Sequence, residues 1–272
     1  MRALPGAATR GVPGAARPCG HAMRGLLKGA GTVVLLVALL LLGPLGVLAF
    51  GDLDLDSHWS QARMDSTGQA PDPATTPEPV VQVYGARTYN WRGAFGIHTW
   101  IAVKRRQAPH YTVYQVIGWN LRGGRSVVTV TERGPADFMW FNARPVLLAE
   151  RRGDDVEALI DRVEQAVAAY PYPDRYSAWP GPNSNTFTAF VARRVPELRL
   201  DLPPTAIGKD YLPGGLPLAS APSGTGVQLS LFGLAGLTLA LEEGIEANLL
   251  GLSFGVDLND FALRLPGVGR VP

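Results

Sequence analysis

A serine in the second half of the chain stands where a helix begins, and such a hydroxyl could act as a nucleophile. Ser184 follows the helix-breaking stretch 179–182, and Phe187 and Val191 behind it recur at helical spacing. Because Ser184 precedes these two residues by three and seven positions, it shares their buried stripe. A nucleophile there would gain from the helix dipole. The alternative is that Ser184 or Asn185 only caps the helix.

A nucleophilic serine needs a base, and His98 is the histidine best placed to supply one. It lies inside the apolar strand pattern 96–103, with Trp100 on the same face. Gln115, in the following strand pattern, could face the imidazole and orient the ring. The alternative for His98 is a hydrogen-bonded core histidine.

Five further side chains are predicted to form a binding surface beside these residues. They are Asn183, Asn185, Trp100, Trp179 and Lys209. Lys209 could also act as a base towards the serine if its loop folds over the site. The alternative is a surface lysine paired with Asp210.

The charge is unevenly placed and argues against nucleic acid as a partner. The formal net charge is +2, but residues 1–28 carry basic side chains and no acidic ones, so the remainder is mildly acidic. The single cysteine, Cys19, lies in that basic arm, which excludes disulfides within the chain and a cysteine nucleophile in the folded part. With only 4 histidines as well, we expect neither a metal site nor a cofactor.

An uncharged segment rich in valine and leucine follows, at residues 29–50. About 20 apolar residues suffice to span a bilayer. Positive charge lies only before the segment, which predicts a single-pass anchor with a cytoplasmic N-terminus and an extracytoplasmic main domain. The alternative is a cleaved signal peptide, since residues 47–49 resemble a small-residue cleavage site, and a secreted or periplasmic product.

A proline-rich linker at residues 51–79 leads into an α+β domain at residues 80–212. β-branched and aromatic runs separated by glycine or proline predict an antiparallel meander. These strand runs cover 80–84, 91–95, 96–103, 111–118, 126–131 and 145–149. The period then changes to that of a helix over 156–170, which Pro171 ends, and the Ser184 helix follows. Strands followed by two helices indicate the α+β class.

Residues 213–272 form a β-rich apolar tail in this interpretation. After a segment rich in proline, glycine and serine, leucines recur at period two over 227–241 and again over 252–258. A second membrane helix is the alternative, because no charge occurs between Asp210 and Glu242. Frequent glycines favour strands, and the apolar surplus predicts that the tail packs on the main domain or touches lipid.

Two short motifs resemble the circularly permuted papain-like order of lecithin:retinol acyltransferase-like proteins and permuted NlpC-type peptidases. Their nucleophile motif reads Asn-Cys-x-x-Phe, and residues 183–187 match it with Ser184 in the cysteine position. The histidine carries over to His98, and Gln115 is our choice for the third polar residue. The resemblance implies a permuted papain-like core, while the serine departs from the family pattern and implies a retuned or inactive site.

The chain also resembles an uncharacterised bacterial family of unknown function, over roughly residues 80–265. The resemblance rests on residues 179–187, 195–198 and 204–211. This resemblance identifies a family but implies no activity.

These observations together predict a membrane-anchored cell-envelope protein. Ser184 would attack an amide or ester, His98 would shuttle the proton, and Gln115 would orient the ring. Cell-wall peptide and lipid are the substrate classes that the compartment permits. The alternative is an inactive envelope module that binds peptide, glycan or lipid, with tryptophans as stacking platforms.

Overall fold

The computed structural model describes residues 19–133 and 135–272, so most of the basic arm predicted at residues 1–28 lies outside it. Helix α1 covers Cys19–Phe50, and its part Lys28–Phe50 is the one described helix that is long and apolar enough to cross a membrane. Its length and composition fit either a membrane anchor or a signal sequence. The chain from Leu40 to Pro272 forms one compact unit, and the described residues before Leu40 belong to another.

Five antiparallel strands form the first sheet, in the order β4-β3-β2-β1-β5. Their bounds are β1 Val80–Arg87, β2 Ile97–Lys104, β3 Tyr111–Val116, β4 Val128–Arg133 and β5 Val146–Arg152. The strand predicted at 91–95 is wrong, because Asn90–Ala94 forms a short 3₁₀ helix that begins with Asn90 at a φ of 60°. A left-handed residue interrupts an extended backbone, and the chain turns there into β2.

Both faces of the central strands β1, β2 and β3 are buried, which explains why apolar residues occur on both of their faces, while the edge strands β4 and β5 are more exposed. One face carries Val81, Ile101 and Tyr114 against the two helices that follow. The other face carries Tyr84 and Trp100, which are covered by aromatic residues of the loop between β4 and β5 and by the linker before β1. Neighbouring residues of β2 therefore point to different layers.

The two predicted helices pack on the first of these faces. Helix α2 covers Val156–Ala168 and buries the predicted stripe, including Val156, Ile160 and Val163. Helix α3 covers Ser184–Arg194 and is buried along most of its length. With its antiparallel sheets and packed helices, the chain is α+β as predicted, and the permuted papain-like order stays a prediction.

The tail folds into a second antiparallel sheet, which we call the C-terminal sheet. Its strands are β6 Leu218–Ser220, β7 Gly226–Leu231, β8 Ala235–Ala240, β9 Gly244–Leu249, β10 Leu252–Val256, β11 Leu263–Leu265 and β12 Gly269–Val271. Each strand pairs with its neighbours in sequence, from β6 at one edge to β12 at the other. Tight turns with Gly233 and Gly251 at positive φ reverse the chain. The alternative of a second membrane helix in the uncharged stretch between Asp210 and Glu242 is therefore wrong.

Candidate functional site

Helix α3 is capped by Asn183, and this leaves the Ser184 side chain out of the cap. The Asn183 side-chain oxygen accepts hydrogen bonds from the backbone N–H groups of Asn185 and Thr186, at 3.0 and 3.1 Å. The Thr186 hydroxyl accepts in return from the Asn183 N–H, which completes a capping box. The interpretation of Ser184 or Asn185 as the cap is therefore wrong, and Ser184 is the first residue inside the helix.

The first turn of α3 lies against β2 at the two residues that flank His98. The Asn185 side-chain amide donates to the Ile97 carbonyl at 3.0 Å. On the other side, the Thr99 hydroxyl lies 3.3 Å from the Ser184 carbonyl and 3.0 Å from the Asn185 amide oxygen. Two fixed contacts thus hold the start of the helix beside the strand position of His98.

His98 is held by a neighbour on β3 and by an aromatic ring. Its Nε2 lies 2.9 Å from Oε1 of Gln115. An amide oxygen can only accept, so Nε2 carries the proton and Nδ1 is the basic nitrogen. The Trp140 ring lies nearly parallel to the imidazole, with 3.8 Å between the ring centroids. Burial lowers the pKa of His98 from 6.5 to about 4, against the opposing effect of the Gln115 contact.

The Ser184 hydroxyl and the His98 imidazole are not joined by any hydrogen bond within the described part of the chain. Side chains alternate along a strand, and Thr99 faces α3, so His98 points to the other layer with Trp100. Both side chains are nearly closed to solvent, with 5% of Ser184 and 6% of His98 exposed. The structure therefore brings His98 and Gln115 together and holds the serine backbone beside them.

The predicted binding residues are mostly occupied by internal contacts. Trp100 is fully buried and donates its indole N–H to the Ala136 carbonyl at 2.8 Å, which leaves no face for a ligand. The Asn183 and Asn185 amides both donate to the Ile207 carbonyl, at 3.0 and 2.8 Å. Trp179 is different, because 51% of it is exposed while its indole N–H bonds to the turn between β9 and β10.

Lys209 is not the surface residue that one interpretation of the sequence assumed. It is buried, it pairs with Glu246 on β9, and its ammonium lies 3.7 Å from Asp210. Arg264 on β11 donates to the same Glu246 at 3.0 Å and to Asp201 at 2.6 Å. Burial favours neutral Glu246, but Lys209 and Arg264 outweigh it and lower the pKa of that carboxyl. This network joins the α+β domain to the C-terminal sheet.

A cleft of about 730 Å³ opens at the ends of β1 and β5, away from Ser184. Ile97 and Thr205 line it together with charged residues. These charged residues are Asp52, Asp54, Arg87, Arg144, Asp201, Arg264 and Arg270. The cleft contains neither His98 nor Gln115, and mixed charge gives it no single electrostatic preference. Within the described residues, no cluster of three His, Cys, Asp or Glu side chains is arranged to hold a metal ion.

Comparison with known families assigns the α+β domain. A family model described as "Protein of unknown function (DUF3750)" matches residues 78–211. The α+β domain is a DUF3750 domain. The match ends at Tyr211, short of the resemblance expected to about residue 265, so the C-terminal sheet lies outside it. No curated protein and no solved structure matches the chain.

The DUF3750 domain contains every residue of the predicted catalytic set, and its last residues hold Lys209 and Asp210. Two participants in the geometry were not predicted in these roles. Thr99 anchors the start of α3, and strand alternation beside His98 was the available signal. Glu246 pairs with Lys209 from 37 residues away, and local sequence carries no signal for such a contact.

Proposed function

We propose that this protein is a membrane-anchored hydrolase or acyltransferase that acts on an amide or ester through Ser184, with His98 as the base and Gln115 orienting the imidazole. The observation that carries the proposal is the 2.9 Å contact between His98 and Gln115, beside a helix start that is fixed to both residues flanking His98. A base held by a second polar group and a hydroxyl at a helix N-terminus are the two parts that nucleophilic catalysis requires.

The chemistry assigns one step to each group. The Ser184 hydroxyl attacks the carbonyl carbon and passes its proton to Nδ1 of His98, because Nε2 is already protonated towards Gln115. Collapse of the tetrahedral intermediate breaks the C–N or C–O bond, and His98 returns the proton to the leaving group. Water or an acceptor then releases the acyl group from Ser184 by the same steps in reverse.

The oxyanion would be stabilised by the backbone at the start of α3. Asn183 already accepts from the N–H groups of Asn185 and Thr186 through its side chain and from Phe187 through its carbonyl. The Ser184 N–H is then the first-turn donor left for a substrate oxygen. Hydrogen bonds between catalytic groups are often long before substrate binds. Because the imidazole lies in the opposite layer of the sheet, this function requires His98 to turn towards Ser184 when substrate binds.

A fluorophosphonate probe tests the proposal on the full chain reconstituted in lipid. We expect the wild type to be labelled and Ser184→Ala to be unlabelled. His98→Ala should react about 10²–10⁴-fold more slowly, which is the usual contribution of a general base. Ser177→Ala is the matched control, because that serine lies in the loop before α3 and bonds to the Trp179 carbonyl; it should be labelled like the wild type.

An inactive binding module is the second candidate, and the aromatic cover of His98 favours it. Trp140 lies over the imidazole, and Trp119 stacks beyond it with about half of its surface exposed. Exposed tryptophan faces stack well on sugar rings and other flat ligands. A folded wild type that the probe does not label would overturn the hydrolase and make this module the leading function.

A further inference from the structure

In the C-terminal sheet the polar face is buried and the apolar face is exposed. This is the reverse of a sheet whose outer face meets water. Along β7, Gln228 and Ser230 are buried while Val227, Leu229 and Leu231 are exposed. The same alternation continues on the paired strands, and the exposed residues lie opposite one another in register. We call this surface the apolar face; it consists of Val227, Leu229, Leu231, Leu237, Leu239, Ile245, Phe254 and Leu263. Antiparallel sheets normally turn such a face towards the core.

Polar partners on the α+β domain explain why the polar face is the buried one. The Arg193 guanidinium donates to Gln228, and the Asn248 amide donates to the Asp210 carboxylate at 2.6 Å. Glu246 joins Lys209 and Arg264 in the buried network. If the sheet turned over, Gln228 would lose Arg193, Asn248 would lose Asp210 and Glu246 would lose Lys209. The apolar face is therefore fixed outward.

The turns at one end of the sheet extend the apolar surface. Phe232 between β7 and β8, Leu250 between β9 and β10, and Val268 between β11 and β12 are all exposed. Phe232 and Leu250 occupy positive φ, at 55° and 56°. Bulky side chains rarely adopt this conformation, so the turns hold apolar residues outward at some cost in backbone energy.

The apolar helix ends against this same end of the sheet. A Cβ on Gly43 of α1 would lie 2.0 Å from the Pro266 carbonyl oxygen, and one on Gly267 would lie 2.6 Å from the Pro44 nitrogen. Gly43 is seven residues before Phe50, or about 10 Å along a helix. In a bilayer that contains Lys28–Phe50, the turn between β11 and β12 therefore sits about 10 Å below the level where the apolar helix ends.

We propose that the apolar face rests on lipid, with its side chains in the outer part of the bilayer that α1 enters. The depth set by Gly43 agrees with the roughly 5–10 Å to which interfacial segments insert their apolar faces. Each of the strands β7 to β11 is paired on both sides, so its backbone is satisfied within the sheet. This inference does not depend on Ser184, so it stands or falls separately from the hydrolase.

Depth-dependent fluorescence quenching of the full chain tests the inference. In a Cys19→Ser background, Leu229→Cys and Leu239→Cys place a fluorophore on the apolar face at positions that are 48% and 45% exposed. Val130→Cys is the matched control, because it is a 60% exposed apolar residue on β4 of the first sheet. Each variant is reconstituted into phosphatidylcholine–phosphatidylglycerol vesicles, with or without acyl chains brominated for contact quenching.

We expect the labels at 229 and 239 to be quenched by brominated acyl chains and to resist aqueous iodide present on both sides of the membrane. The label at 130 should show the opposite pattern. Iodide quenching at 229 and 239 equal to that at 130 would overturn the proposal. Resistance to both quenchers would also overturn it, because the face would then be covered by protein, such as a second copy of the chain.

Discussion

His98 is kept neutral by its surroundings, and this makes the stability of the protein depend on pH. Its pKa falls from 6.5 to about 4 because burial disfavours the imidazolium, only partly offset by Gln115. Between these two values the unfolded chain binds more protons than the folded chain. The free energy of unfolding must therefore rise with pH across that window, and the contribution of this one group is roughly 3 kcal/mol.

Replacing His98 by glutamine should remove this contribution. We expect the free energy of unfolding, measured by urea titration in detergent between pH 4 and pH 6.5, to rise less steeply in His98→Gln than in the wild type. His110→Gln is the control for loss of a histidine that is exposed, in the loop before β3. Equal slopes in the wild type and in His98→Gln would show that folding does not lower the pKa of His98.

The junction between the α+β domain and the C-terminal sheet depends on buried charges. Lys209 and Glu246 are both nearly inaccessible to solvent, so neither can be hydrated if the other is removed. Burial lowers the pKa of Lys209, but Asp210 and Glu246 outweigh that effect and raise it, which keeps the ammonium charged. Breaking such a pair is costly because it leaves an uncompensated buried charge, whereas replacing both partners by apolar groups often is not.

A double-mutant cycle measures this junction. We expect Glu246→Leu to lower the free energy of unfolding by about 3–5 kcal/mol, and Lys209→Met with Glu246→Leu to recover much of that loss. Arg162→Met removes the exposed ion pair with Glu197 and should change stability little. If Glu246→Leu costs no more than this control, the network does not hold the sheet in place.

At the scale of the whole molecule, the last part of α1, from Leu40 to Phe50, belongs to the folded unit. Gly43 and Pro44 lie against the turn that joins β11 and β12, and Leu40 is buried. Only glycine permits this approach at position 43, because any Cβ would collide with the Pro266 backbone. The contact fixes where the C-terminal sheet stands on the part of α1 from Leu40 to Phe50.

Leucine at position 43 should separate the helix from this turn. We expect Gly43→Leu to speed amide hydrogen exchange in β11 and β12, because the Pro266 backbone must move to admit the side chain. Gly46→Leu is the matched control: it lies on the same helix, and a Cβ there would meet no atom within 4 Å. Faster exchange in both variants would point to a general effect of leucine on α1, and faster exchange in neither would mean that the contact does not restrain β11 and β12.

Local patterns in the sequence predicted the longer elements of this protein, although the strand expected at 91–95 was wrong. The uncharged run before Phe50, the period-two runs of the tail and the helical stripe from Val156 each depend on residues near one another in the chain. The contact between His98 and Gln115 could also be predicted from the sequence, because consecutive strands of a meander are neighbours. The helix start at Ser184 follows from the prolines before it, although its cap proved to be Asn183.

Contacts between distant segments were decided only by the tertiary structure. Trp140 covers His98 from a loop 42 residues later, and Glu246 meets Lys209 from the far sheet. Alternation in the tail indicates two unlike faces but not which of them is buried, since that depends on what the opposing surface offers. Here the opposing surface of the α+β domain carries charged groups that bind the polar face, namely Lys209, Asp210 and Arg193. The polar face is therefore buried and the leucines are exposed.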